Sequence, residues 1–161
     1  MGIDSKIAKC LESGGETMSE KTPARLDAAQ IEAIFAASPF ISTLGLKVLE
    51  IDYGEAKLSV RMPLHPGLER RKGTKQFHGG PIASFIDTVG DFAIGMMVGG
   101  GVPTINLRID YLKPAVGDAL TATARVRRTG KMIAVVDIDV ADEKGSFVAI
   151  GRGTYFPQHD M

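Results

Sequence analysis

The feature that most constrains this chain is the apolar run from Pro81 to Val98, broken only by small residues, Thr88 and two acids, Asp87 and Asp91. Its length approaches that of a bilayer span, but two carboxylates in hydrocarbon are costly. The run is therefore expected to be the core helix of a folded domain and not a membrane segment. Gly79-Gly80-Pro81 opens it, with proline expected at the first helical position, and Gly99-Gly100-Gly101-Val102-Pro103 closes it. These signals predict a helix of about 17 residues.

The flanking segments have the period of strands instead. Ala56, Leu58, Val60 and Met62 alternate with Lys57, Ser59 and Arg61. Strands are predicted over 45–52 and 55–62 around a Tyr53-Gly54 turn, over 104–112, over 118–128 and 131–142 around a Thr129-Gly130 turn, and over 145–156. Turns this short require antiparallel neighbours. One long apolar helix among such strands gives an α+β class, a curved antiparallel sheet wrapped around a central helix. A shorter helix is expected through 28–37, with Asp27 as its N-cap. Residues 63–78, PLHPGLERRKGTKQFH, form a long loop carrying a cluster of positive charge.

A chain of 161 residues suits one core, assigned to 25–161 after a flexible polar tail over 1–24. The 19 basic and 19 acidic residues cancel, which argues against a nucleic-acid partner, since such binding needs a positive excess to displace counterions. The lone cysteine, Cys10, and the lack of an apolar leader in the first residues point to a reducing, cytoplasmic setting. No Cys/His set at metal spacing, Walker glycine pattern or Gly-x-Ser-x-Gly motif is present, so neither a metal nor a resident cofactor is expected.

The chemistry concentrates in Gln76-Phe77-His78-Gly79-Gly80-Pro81 and Asp87. A helix start offers unpaired N–H groups and the positive end of the helix dipole, a setting for a developing oxyanion. Glycine at 79 and 80 lets a carbonyl approach the backbone. The same residues also fit a plain helix start with a satisfied loop histidine. Asp87 is harder to explain that way. It lies two turns into an apolar helix, on a stripe with Ala83, Ser84, Gly90 and Asp91, where a ligand or a second subunit is expected to approach. Asp91 is a like charge one turn on, so at least one of the two should have a raised pKa. Both acids also fit caps, or partners of basic residues, at a dimer interface.

His78-Gly79-Gly80, with an acid seven positions after the second glycine, resembles the signature of the hotdog-fold thioesterase superfamily. The likeness is to its phenylacetate-degradation type and to 4-hydroxybenzoyl-CoA thioesterase-like members, and it extends over about residues 40 to 157. Thr104 to Ala115 and Arg128-Thr129-Gly130-Lys131 resemble the following strand and hairpin of that family. The resemblance implies hydrolysis of an acyl-CoA thioester, with CoA as part of the substrate. Asp87 would activate water or attack the carbonyl, the Gly79 N–H would hold the oxyanion, and His78 would orient or assist it. Thr104 would help to place Asp87 or the water, from the other subunit of a homodimer or a dimer of dimers. Many relatives have an asparagine six residues before the histidine. This chain has Lys72 there, and Gln76 is the nearest amide. CoA phosphates suit Arg and Lys. Arg127, Arg128 and Lys131 at the hairpin, and Arg70, Arg71 and Lys72 in the loop, are the cations considered for them. A non-catalytic acyl-CoA-binding domain of the same fold is the alternative that Lys72 favours and Asp87 disfavours. A hotdog dehydratase would need a different His and acid arrangement, which is not found.

Overall fold

The computed structural model describes residues 25–158, so the expectations for the 1–24 tail and Cys10 lie outside the described residues. Helix α1 (Ala28–Ala37) is followed by a 3-10 turn (Ile41–Leu44) and the hairpin of β1 (Lys47–Asp52) and β2 (Lys57–Pro63). A second 3-10 turn (Pro66–Leu68) lies in the long loop, and then comes α2 (Gly79–Val98). Strands β3 (Thr104–Tyr111), β4 (Ala119–Thr129), β5 (Ala134–Asp142) and β6 (Phe147–Tyr155) complete the chain. All pairings are antiparallel, in one six-stranded sheet of order β1-β2-β4-β5-β6-β3.

The expected α+β architecture is present. Helix α2 buries Phe85, Ile86, Val89, Phe92, Ala93 and Met96 against the inward residues of the sheet. Its length would let it cross a bilayer, yet most of it is enclosed by the fold. Inward positions on β4 carry Leu120, Ala122 and Ala124, and on β5 Val136, Ile138 and Val140, all essentially inaccessible. Outward positions alternate with them and are polar or charged, the pattern of a sheet covered on one face. Asp27 caps α1 through a reciprocal capping box with Gln30, and Phe35 meets Phe92 edge to face at 4.9 Å between ring centres.

Three local expectations change. Helix α2 has 20 residues and begins at Gly79, so Pro81 is its third residue and not its first. The β1–β2 turn spans 53–56, because Asp52 pairs with Lys57. The β4–β5 turn spans 130–133, closed by the Gly130 N–H donating to the Ile133 carbonyl at 2.9 Å. In both hairpins the chain needs more residues to turn than a two-residue signal suggests, and the first residues of the second predicted strand become turn.

Candidate active site

Backbone bonds fix the start of α2 on two sides. The Phe77 N–H donates to the Ala115 carbonyl at 2.9 Å and the His78 N–H to the Leu68 carbonyl at 2.8 Å. The first helical turn then loses its spare donors one by one. His78 is the N-cap, and its Nδ1 accepts the Gly80 N–H at 3.0 Å. Pro81 has no N–H. Ile82 is the first residue whose N–H can reach back four positions into the helix. Among the described residues, the Gly79 N–H is the donor of this turn left without a partner. Because Nδ1 accepts, a neutral His78 carries its proton on Nε2.

Tyr111, at the end of β3, donates its hydroxyl to the Gly79 carbonyl at 2.8 Å. Its ring packs 3.5 Å from where a Cβ on Gly79 would be. These groups border a cavity of about 380 Å³ that also takes in Arg70, Gln76, Ile82 and Leu112. Gln76, His78 and Gly79 are thus brought together as expected. Arg70, one of the loop cations expected near the motif, and Tyr111, which nothing in the sequence pointed to, join them.

Asp87 is half-buried on α2. The Thr104 hydroxyl donates to its Oδ1 at 2.8 Å. This bond forms within one chain, which corrects the expectation that Asp87 and Thr104 come from different subunits. The return from α2 into β3 is short, so the strand starts beside the helix that precedes it. Behind Asp87, the Tyr155 hydroxyl donates to the Asp87 carbonyl at 3.3 Å. Burial, together with the charges of Asp87 and Asp91, pushes the Tyr155 phenol up, so it stays a donor.

Gly90 was expected to admit a ligand or a second subunit. Instead, it admits Tyr155: a Cβ there would run into the phenol oxygen and lie 3.1 Å from Ile138 Cδ1. Asp91 accepts the Val102 N–H at 2.6 Å, and no basic residue pairs with it among the described residues. Burial, with a smaller push from the Asp87 charge, raises its carboxyl to about 7. The expected raised acid is therefore Asp91, and desolvation outweighs like-charge repulsion as its cause.

The cations divide. Arg71 and Lys72 are exposed on a loop that Glu69 holds by accepting the Gly73 and Lys75 N–H groups at 2.8 and 2.9 Å. Neither borders the cavity, whereas Arg70 does. Arg127 is tied to Asp137 at 2.8 Å on the sheet face away from α2, and Arg152 shares that carboxylate. These two guanidiniums, Arg152 first, hold the Asp137 carboxyl below its ordinary range. Arg128 and Lys131 are exposed at the β4–β5 turn.

A curved antiparallel sheet around one long helix defines the class as a hotdog-fold protein. The chain belongs to the thioesterase superfamily, whose family model matches residues 76–149. A Halobacterium salinarum protein named as an esterase is 37% identical over 80% of this chain and 90% of its own. The acyl-coenzyme A thioesterase PaaI of Escherichia coli is 30% identical over 75% of this chain and 84% of its own. The solved PaaI structure superposes with a TM-score of 0.65 at 30% identity, over 78% of this chain and 88% of that one. Zebrafish thioesterase superfamily member 2 superposes at 0.71 with 26% identity, over 81% and 98%.

Proposed function

We propose that this chain hydrolyses an acyl-CoA thioester to the free acid and CoA. The observation that carries the reading is that one helix carries both an open N–H at its start, at Gly79, and a carboxylate, Asp87, held by the Thr104 hydroxyl. The thioester carbonyl lies against the Gly79 N–H. Asp87 takes a proton from water as the water oxygen bonds to the carbonyl carbon, or attacks that carbon itself. The carbonyl oxygen becomes an oxyanion opposite the helix dipole, and His78 Nε2–H is the second donor available to it. Collapse of the adduct breaks the C–S bond and the thiolate of CoA leaves. On the base route it takes up the proton held by Asp87, and the acid is free. On the nucleophilic route the acyl group stays on Asp87 as a mixed anhydride. A water then hydrolyses this anhydride, freeing the acid, returning the carboxylate and supplying the proton for the thiol.

Gly79 and Asp87 are eight residues apart on one helix, about 12 Å along its axis. A single carbon cannot touch both. A homodimer, or a dimer of dimers, brings the partner's Asp87-Thr104 pair across to this chain's Gly79. Strand β3 supports this arrangement, because among the described residues it ends the sheet with an unpaired edge and Ile105 is 56% exposed. Unpaired edges of this kind invite a second strand. Arg70, Arg71, Lys72, Arg128 and Lys131 are the cations available for CoA phosphates, whereas Arg127 is held on the sheet face by Asp137, which it shares with Arg152. CoA enters as substrate and not as a cofactor, and the setting proposed is cytoplasmic.

The reading is tested by thiol release from a panel of short-, medium- and long-chain and aromatic acyl-CoAs. Turnover of at least one is expected. Saturable binding with no thiol release across the panel would favour the acyl-CoA-binding alternative.

A further inference from the structure

Asp91 is half-buried, at a cost to its charge, and takes no part in the chemistry above, yet its carboxylate accepts a specific bond from the Val102 N–H. The segment after α2 folds back hard against the helix. The Gly99 and Gly100 N–H groups both donate to the Gly95 carbonyl, at 2.8 and 3.1 Å. A Cβ on Gly95 would lie 2.6 Å from the Gly100 carbonyl oxygen, so only glycine admits this return. Val102 then donates its N–H to Asp91 Oδ1 at 2.6 Å, and two residues later the Thr104 hydroxyl donates to Asp87 Oδ1 at 2.8 Å.

The two bonds form matching rungs. Asp87 and Asp91 are four residues apart on the helix, about 6 Å of rise. Val102 and Thr104 are two residues apart in extended chain, about 6.6 Å. The chain has reversed, so the later helix residue meets the earlier strand residue. On the other side, the Pro103 carbonyl accepts the Phe156 N–H at 2.9 Å, and the Asp91 rung, between the Gly95 bonds and Thr104, holds the segment against α2.

We infer that Asp91 is a positioning residue, fixing through Val102 the register that aims Thr104 at the Asp87 carboxylate. The inference rests on the role proposed for Asp87. An apolar side chain at 91 would orphan the Val102 N–H, and a segment with an orphaned donor shifts to find water. Thr104 would move with it, and Asp87 would lose its preferred rotation. The cavity at Gly79 is bordered by other elements, so substrate affinity should survive.

The test compares kcat and KM for Asp91→Ala, Asp91→Asn, Thr104→Ala, the Asp91→Ala/Thr104→Ala double variant and Asp87→Asn. Asp91→Ala should lower kcat at least about tenfold with KM nearly unchanged. Asp91→Asn, which keeps an acceptor oxygen, should restore most of the rate. The double variant should be no slower than Thr104→Ala alone, because the two residues act in series. If the single losses multiply, or Asp91→Asn is as slow as Asp91→Ala, or Asp91→Ala keeps full turnover while Asp87→Asn loses it, the inference is overturned and the role of Asp87 stands. If Asp87→Asn itself turns over normally, both fail. Asp91→Ser, too short to reach Val102, replaces Asp91→Ala if that protein does not fold.

Discussion

Asp91→Asn should make the fold less sensitive to alkaline pH. The Asp91 carboxyl is raised from 3.8 to about 7, first by burial, against the opposing Val102 hydrogen bond, and then by the charge of Asp87. Tyr155 is the other titratable group that feels this charge. A carboxyl whose folded pKa lies above its unfolded one stabilises the fold in its protonated form. That contribution is complete below the unfolded value, near 4, and is lost as pH rises through about 7. The full displacement corresponds to a ceiling of about 4 kcal/mol. Linkage assigns roughly 2.5 kcal/mol of this to the interval from pH 5 to pH 8. Local solvent relaxation reduces the expected figure to about 1–2 kcal/mol. Asparagine keeps the acceptor for Val102 and never ionises. Urea unfolding of both proteins, at equal concentration, should therefore show the native chain losing about 1–2 kcal/mol more than Asp91→Asn between these two pH values. Parallel pH dependences in the two proteins would refute the reasoning.

Gly90→Ala should destabilise the fold by about 1–3 kcal/mol, because the added methyl meets the Tyr155 phenol and Ile138 inside a filled core. A lowered urea midpoint checks this, and an unchanged one would mean that Tyr155 has room to move. Replacing Arg128 and Lys131 together with alanine should raise KM more than it lowers kcat, as expected for contacts made equally in ground and transition states. The opposite split in steady-state kinetics would remove them from phosphate binding.

The helix and the sheet could be read from the sequence because each has its own period. The run from Pro81 to Val98 had to be buried, and Ala56 to Met62 alternates cleanly. Gly79 and His78 were readable for a similar reason, since capping and close approach are local properties of a helix start. Pairings across the fold left no such mark. Nothing near Tyr111 or Tyr155 says that one phenol reaches the Gly79 carbonyl and the other the carbonyl of Asp87. The short return from α2 made Thr104 a partner of Asp87 within one chain, where the family resemblance had suggested two. Gly90 looked like a point of contact with a ligand or a second subunit, but small residues mark close approach without naming what approaches. Arg127 looked like a free cation because Asp137 is on the neighbouring strand, ten residues away. Asp87 and Asp91 were readable as a pair in which at least one acid has a raised pKa, and Asp91 was not readable as the anchor of a turn.

The most direct test of the central claim is the turnover of Asp87→Asn on whichever acyl-CoA the native protein hydrolyses. Asparagine keeps the shape and the acceptor for the Thr104 hydroxyl, but loses the charge that a base or nucleophile needs. A fall in kcat of at least about 10²-fold, with acyl-CoA binding retained, is the expected result. Near-native turnover would contradict the account and leave Asp87 with a structural role only.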